Sequence, residues 1–198
     1  MGVFRMEPFV EKIFLEEIAS QVLWARDAFN RLKHALTDGR GAEGAHDDVT
    51  DFLGHAGVVS KILLPGAGKD TGDPRRVRGR YLRGVLKVKE NDPALDRSLR
   101  DLLEHIDEQI DKWAREDSDE VYIDKGVLPI TVLGKTIRHF RYLNPRTGAY
   151  SVLGNEFDLV AIMESLEAIL SAVRARSQTL DIRSEGRVFP SEHRAPRP

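Results

Sequence analysis

"LDRSLRDLLEHIDEQIDKW", Leu95 to Trp113, is the stretch on which the reading of this chain turns. Leu95, Leu99, Leu102, Ile106, Ile110 and Trp113 recur at steps of three and four, the period of an α-helix with one buried stripe. A helix turns about 100° per residue, so Arg100 falls near 140° from Leu95 and His105 near 280°, on the two shoulders of that stripe. Arg97, Asp101, Glu104, Glu108 and Lys112 share the outward face. Asp101 lies one turn before His105, where its carboxylate can hold one imidazole nitrogen and leave the other free. Arg100 carries a planar fork of donors suited to a phosphate. The same two side chains also suit a solvated helix surface, and the pairs Arg40/His46 and Arg187/His193 show that near-matches arise in loops and tails. Context must decide.

Upstream, Phe14, Ile18, Val22, Ala25, Phe29, Leu32 and Leu36 predict a first helix, ended by Asp38-Gly39-Arg40-Gly41. A second is expected from about Asp47, with Val49, Phe52, Ala56, Val59 and Leu63 inward, stopping at Pro65-Gly66. The loop "PGAGKDTGDP" lacks the upstream glycine of a phosphate-cradling P-loop. Residues 75–89, "RRVRGRYLRGVLKVK", carry seven basic side chains in fifteen positions and predict a short third helix. Arg75, Arg76, Arg78, Arg80 and Arg83 make up its basic patch, for which a solvated face paired with the acids of the Leu95–Trp113 stretch is one reading. The long helix itself is expected from about Pro93 to Asp117.

Downstream, β-type runs occupy Val121–Ile123, Ile130–Leu133, Ile137–Leu143 and Ala149–Leu153, the last two joined by the turn "NPRTG". Asn155 is placed to cap a final helix with Leu159, Ile162, Met163, Leu166, Ile169, Leu170 and Val173 inward. From Ser177 the chain becomes polar and proline-bearing, which predicts a disordered tail over 177–198 behind a domain of residues 1–176. The expected fold class is mainly α: an up-and-down helical bundle with a small β-hairpin inserted before the last helix.

At 198 residues the chain suits one domain with a proper core. A net charge of −2 gives no global pull toward nucleic acid, so any such partner needs a local patch. The absence of cysteine excludes disulfides, thiolate metal sites and cysteine nucleophiles. No apolar run nears the roughly 18 residues of a membrane span, the N-terminus reads as neither signal peptide nor acylation signal, and a cytoplasmic location without membrane attachment is expected. "HDDVTDFLGH" brings His46, Asp47, Asp48, Asp51 and His55 together, but Asp47 or Asp48 as a helix cap and His55 at a bundle interface is preferred to a divalent metal site. No metal or cofactor is expected. Trp24 and Trp113 read as packing residues.

The motif "RDLLEH", with "LRDLLEHIDEQIDKW" around it, resembles the HEPN (higher eukaryotes and prokaryotes nucleotide-binding) family. Its helical bundles carry an arginine, a polar residue directly after it, and a histidine on one helix. The likeness extends in order through "FLGHAGVVSKILLPG", "RGRYLRGVL" and "RYLNP…NEFDLVAIMESL", covering roughly residues 10 to 175. The resemblance implies a homodimer in which two motif helices face each other across a composite cleft. It further implies a metal-independent endoribonuclease of toxin–antitoxin or defence type, with RNA as substrate and a cognate antitoxin or other protein as partner. Carried over, His105 takes the acid–base role, Arg100 steadies the phosphate, and Asp101 orients the histidine. The family also holds non-catalytic members, so a module that binds a nucleotide or a partner protein is the alternative. The acids Asp101, Glu104, Asp107, Glu108 and Asp111 crowd the motif and favour the alternative unless the arginines at 75–83 line the same cleft.

Overall fold

The computed structural model describes residues 6–38, 41–66, 72–115, 122–127, 131–132, 135–136 and 138–185. Two long helices form its centre, α1 (Pro8–Thr37) and α2 (Gly41–Leu63), and the short connection between them makes them antiparallel neighbours. Leu15, Ile18, Val22, Ala25 and Leu32 of α1 meet Val49, Phe52, Ala56, Val59 and Leu63 of α2 in one core cluster. The stripes read from periodicity are therefore largely the buried ones, though in α1 Leu15 is buried where Phe14 was expected and Leu36 is buried only in part. Helix α6 (Leu159–Glu185) completes the core with Ile162, Leu166, Ile169, Leu170 and Val173. Arg26 of α1 clamps Glu167 of α6 with two hydrogen bonds of 2.5 Å. Buried Glu11 accepts from Arg176 at 2.6 and 3.1 Å and from Tyr81 at 2.7 Å.

Helix α3 (Pro74–Leu86) crosses the C-terminal end of α2 at close range. A Cβ on Gly79 would stand 2.7 Å from the Leu63 carbonyl oxygen and 2.7 Å from Pro65 Cδ, so only glycine permits the approach. The chain then makes a 3-10 turn at Pro93–Leu95 and two short helices, α4 (Arg97–Glu104) and α5 (Ile106–Arg115). Thus the single helix expected over 93–117 is broken twice. Asp96 restarts it by accepting the Ser98 N–H at 2.8 Å as an N-cap. His105 leaves helical geometry at φ −123°, ψ 35°, although its N–H still reaches the Asp101 carbonyl at 3.1 Å. The inward stripe divides accordingly. Leu95 and Leu102 are buried, Ile106 and Trp113 partly so, and Ile110 is exposed.

The β region is a four-stranded sheet, not a lone hairpin. β1 (Tyr122–Gly126), β4 (Arg138–Leu143), β5 (Ala149–Val152) and β6 (Asn155–Asp158) lie in the order β1-β4-β5-β6, with β1 parallel to β4 and the other pairs antiparallel. β2 (Thr131–Val132) and β3 (Lys135–Thr136) form a separate pair. The expected β4–β5 hairpin is present at the centre. Asn155 opens β6 and does not cap α6; Asp158 does so, accepting the Ala161 N–H at 2.9 Å. Two further expectations are corrected. α2 begins at Gly41, which places Asp47 and Asp48 inside the helix and not at its cap. α6 runs on to Glu185 past the expected end at 176, with Leu180 buried against the core. Residues 186–198 lie outside the described set, as do Val121, Ile130 and Leu133.

Candidate functional site

His105 stands where α4 gives way to α5, with its side chain 57% exposed. It borders an open cleft of about 230 Å³ lined by Ser98, Asp101, Leu102, Glu108, Gln109 and Asn155. The one-turn spacing put Asp101 and His105 side by side, and both line this cleft. The Glu108 carboxylate also stands beside the ring, its Oε1 3.8 Å from Nδ1. Asp101 engages His105 through its backbone carbonyl. Arg100 belongs to α4, but its side chain lies outside the described set. Asn155 entered the cleft from β6, a strand that periodicity had not revealed.

The arginines at 75–83 do not act as one face. Arg75 closes on Asp73 at 2.7 Å, and its guanidinium holds that carboxyl down to about 2. Arg78 lies over the Phe14 ring at 4.6 Å, where burial lowers its pKa. Arg83 is buried, donating to the Leu63 carbonyl at 2.5 Å and to Glu90. Arg76 and Arg80 border a different cleft from that of His105, together with Arg83, Glu90 and Arg97. Arg97 and Glu90 border that second cleft and were not grouped with these arginines by the sequence. The available signal was that Arg97 shares the outward face of the motif helix with Asp101.

The "HDDVTDFLGH" side chains are engaged one by one. Arg31 binds Asp48 at 2.9 Å and Asp51 at 2.5 Å. His55 Nδ1 meets Gln21 Oε1 at 2.8 Å. His46 is buried and its Nε2–H donates to the Gly126 carbonyl at 3.1 Å, leaving Nδ1 as a buried acceptor without a partner. Burial pushes its pKa below the usual imidazole range, with Lys125 and Arg141 acting in the same direction. Beside it, burial raises the Tyr150 hydroxyl to about 12. Among the described residues, no group of three His, Asp or Glu side chains is placed to hold a metal ion. No described helix is long and apolar enough to cross a membrane. Trp113 packs edge-on against Tyr122 and Phe140, as a packing residue should, whereas Trp24 is half exposed beside His55.

No protein-family model, curated protein or solved structure matches the chain.

Proposed function

We propose that this chain is a HEPN-like, metal-independent endoribonuclease of toxin or defence type, acting in the cytoplasm as a homodimer across its motif helices. The observation that carries the reading is His105: a half-exposed imidazole at a helix break, on an open polar cleft, beside a helix whose apolar side is only partly covered. α5 buries no residue, yet Ile110 on it is apolar and exposed. A second copy would cover that side and bring a second His105 toward the first.

Cleavage of RNA by its own 2′-hydroxyl requires one proton removed, another delivered to the leaving oxygen, and charge stabilised on the phosphorane. Imidazole titrates near pH 6.5 and can serve as either acid or base, so two copies supply both. Arg100 supplies a permanently charged bidentate donor for the phosphate. Asp101, with Glu108, holds the histidine in place. One observation favours the alternative of a non-catalytic module that binds a nucleotide or a protein partner. The described residues around His105 include two carboxylates and no lysine or arginine, which repels a polyanion.

Cleavage of single-stranded RNA in excess chelator, compared among wild type, His105→Ala and Arg100→Ala, tests the proposal. Loss of a positioned acid–base group is expected to cost about 100-fold or more with the far-ultraviolet circular dichroism unchanged. Undiminished cleavage in both variants, or none by the wild type, overturns it.

A further inference from the structure

We propose that strand β1 is an acid-released latch: His46 of α2 and His139 of β4 hold Gly126 between them while their rings are neutral, and let the strand go when the rings are protonated. The latch uses none of the residues assigned to the chemistry at His105, so it stands or falls apart from the ribonuclease reading.

The geometry converges on one glycine. His46 Nε2–H donates to the Gly126 carbonyl at 3.1 Å. From β4, the His139 ring stands so close that a Cβ on Gly126 would lie 2.6 Å from its Nδ1 and 2.9 Å from its Cε1. The Nδ1 atoms of both rings are buried, and neither has a hydrogen-bond partner. A lone pair can rest there. A proton would turn each Nδ1 into a buried charged donor without an acceptor, and opening the strand relieves that penalty by giving the atom to water.

The surroundings do not rescue the charged rings. Facing His46 are Tyr150 of β5, Arg141 of β4, and Lys125 and Asp124 of β1; the two bases add to the effect of burial, and among these side chains only Asp124 opposes it. Asp124 is itself bound by Arg141 at 2.6 Å, and Lys125 is paired with Glu43 and Asp47 of α2. His139 meets the Tyr142 ring at 5.0 Å, and burial alone lowers its pKa. Those carboxylates, lysine and arginine keep their charge between pH 7 and pH 5, so the imidazoles are the groups of this cluster that titrate there.

The position of β1 makes release local. It lies at the edge of its sheet and pairs with β4, so it can leave without breaking the β4–β5–β6 ladders. It also carries Tyr122, whose ring meets Trp113 edge-on at 5.9 Å. Opening β1 therefore uncovers the end of α5, the helix that follows His105.

Amide hydrogen exchange of the full chain between pH 7.5 and pH 5, read as protection factors that remove the intrinsic rate, tests the latch. The opening constant of residues 122–127 is expected to rise below pH 6.5 by up to about tenfold per pH unit for each histidine, hence up to about 100-fold for the pair. The α1–α2–α6 core should keep its protection over the same range. Glutamine retains a donor for the Gly126 carbonyl without titrating, so His46→Gln and His139→Gln should each remove about half of the logarithmic slope, and the double variant all of it. Gly126→Ala has no room beside His139 and should open the strand even at pH 7.5, which keeps the latch testable if a histidine variant does not fold. Protection of residues 122–127 that ignores pH, falls only in step with the core, or keeps its slope in the double variant overturns the latch. So does a Gly126→Ala strand as well protected as the wild type.

Discussion

The α1–α2–α6 core and the α4–α5 arm are both amphipathic, but they use that property in opposite ways. In the core, the apolar stripes of three helices close on one another, and two carboxylates on them are matched: Glu11 by Arg176 and Tyr81, Glu167 by Arg26. In the arm, Leu95 and Leu102 anchor the first turns, after which the helix breaks at His105 and α5 buries its stripe only in part, at Ile106 and Trp113. Amphipathic periodicity therefore reports that a face seeks cover. It does not report whether this chain supplies the cover. The core is where stability resides, and the arm is where surface chemistry is available.

The largest effect should come from opening the core. Leu166 is fully buried in α6, and Leu166→Ala is expected to cost about 3 kcal/mol through lost transfer energy and a residual cavity. Urea denaturation at constant m-value measures it. A cost below about 1 kcal/mol would mean that α6 is not packed as described, and the contrast with the arm would disappear.

A smaller, pH-dependent effect should arise at the joint between the core and the sheet, where His46 of α2 binds Gly126 of β1. The groups around it are Tyr150, Lys125, Arg141 and Asp124. Folding lowers the His46 pKa from 6.5, chiefly by desolvation, and burial lowers that of His139 on β4 as well. Above pH 6.5 both states hold a neutral ring, and the stability is fully present. As pH falls below 6.5 the unfolded chain takes up a proton that the folded chain refuses, so unfolding becomes easier. The slope is at most one proton per histidine, about 1.4 kcal/mol per pH unit. His46→Gln should flatten the fall in urea midpoint between pH 7 and pH 5; an unchanged profile would remove His46 from the joint.

What the sequence made legible follows the same division. The helices of the core announced themselves because every third or fourth residue is apolar and is met by another such stripe within the chain. That Asp101 and His105 border one cleft was legible for a related reason: helical spacing fixes which side chains share a face. The breaks at Asp96 and His105 were not legible, because an aspartate cap inside a continuous apolar period looks like any charged residue of the outward face. β6 was hidden by its turn. Leu153 and Gly154 both adopt positive φ, 51° and 79°, in a two-residue connection where asparagine or aspartate ordinarily precedes the glycine. β1 was visible as a short apolar run, but its parallel pairing with β4 across a long connection leaves no local signal. The arginine cleft was only half legible, since periodicity could group the α3 arginines but could not bring Arg97 to them.

The smallest expected effect on folding, and the sharpest test of the contrast, belongs to Ile110. By sequence it is a core residue of the same stripe as Leu102; in the fold it is 38% exposed on a helix with no fully buried residue. Ile110→Ala should therefore change the unfolding free energy of the isolated chain by less than about 0.5 kcal/mol, the range of surface substitutions. The same variant should weaken self-association, measured by sedimentation velocity over a concentration series, because the face it trims is the one assigned to the second copy. A folding cost comparable to that of Leu166→Ala would place Ile110 inside the chain's own core and leave no apolar face for a partner. A neutral folding effect with unaltered association would leave the arm exposed but deny it the dimer on which a composite His105 site depends.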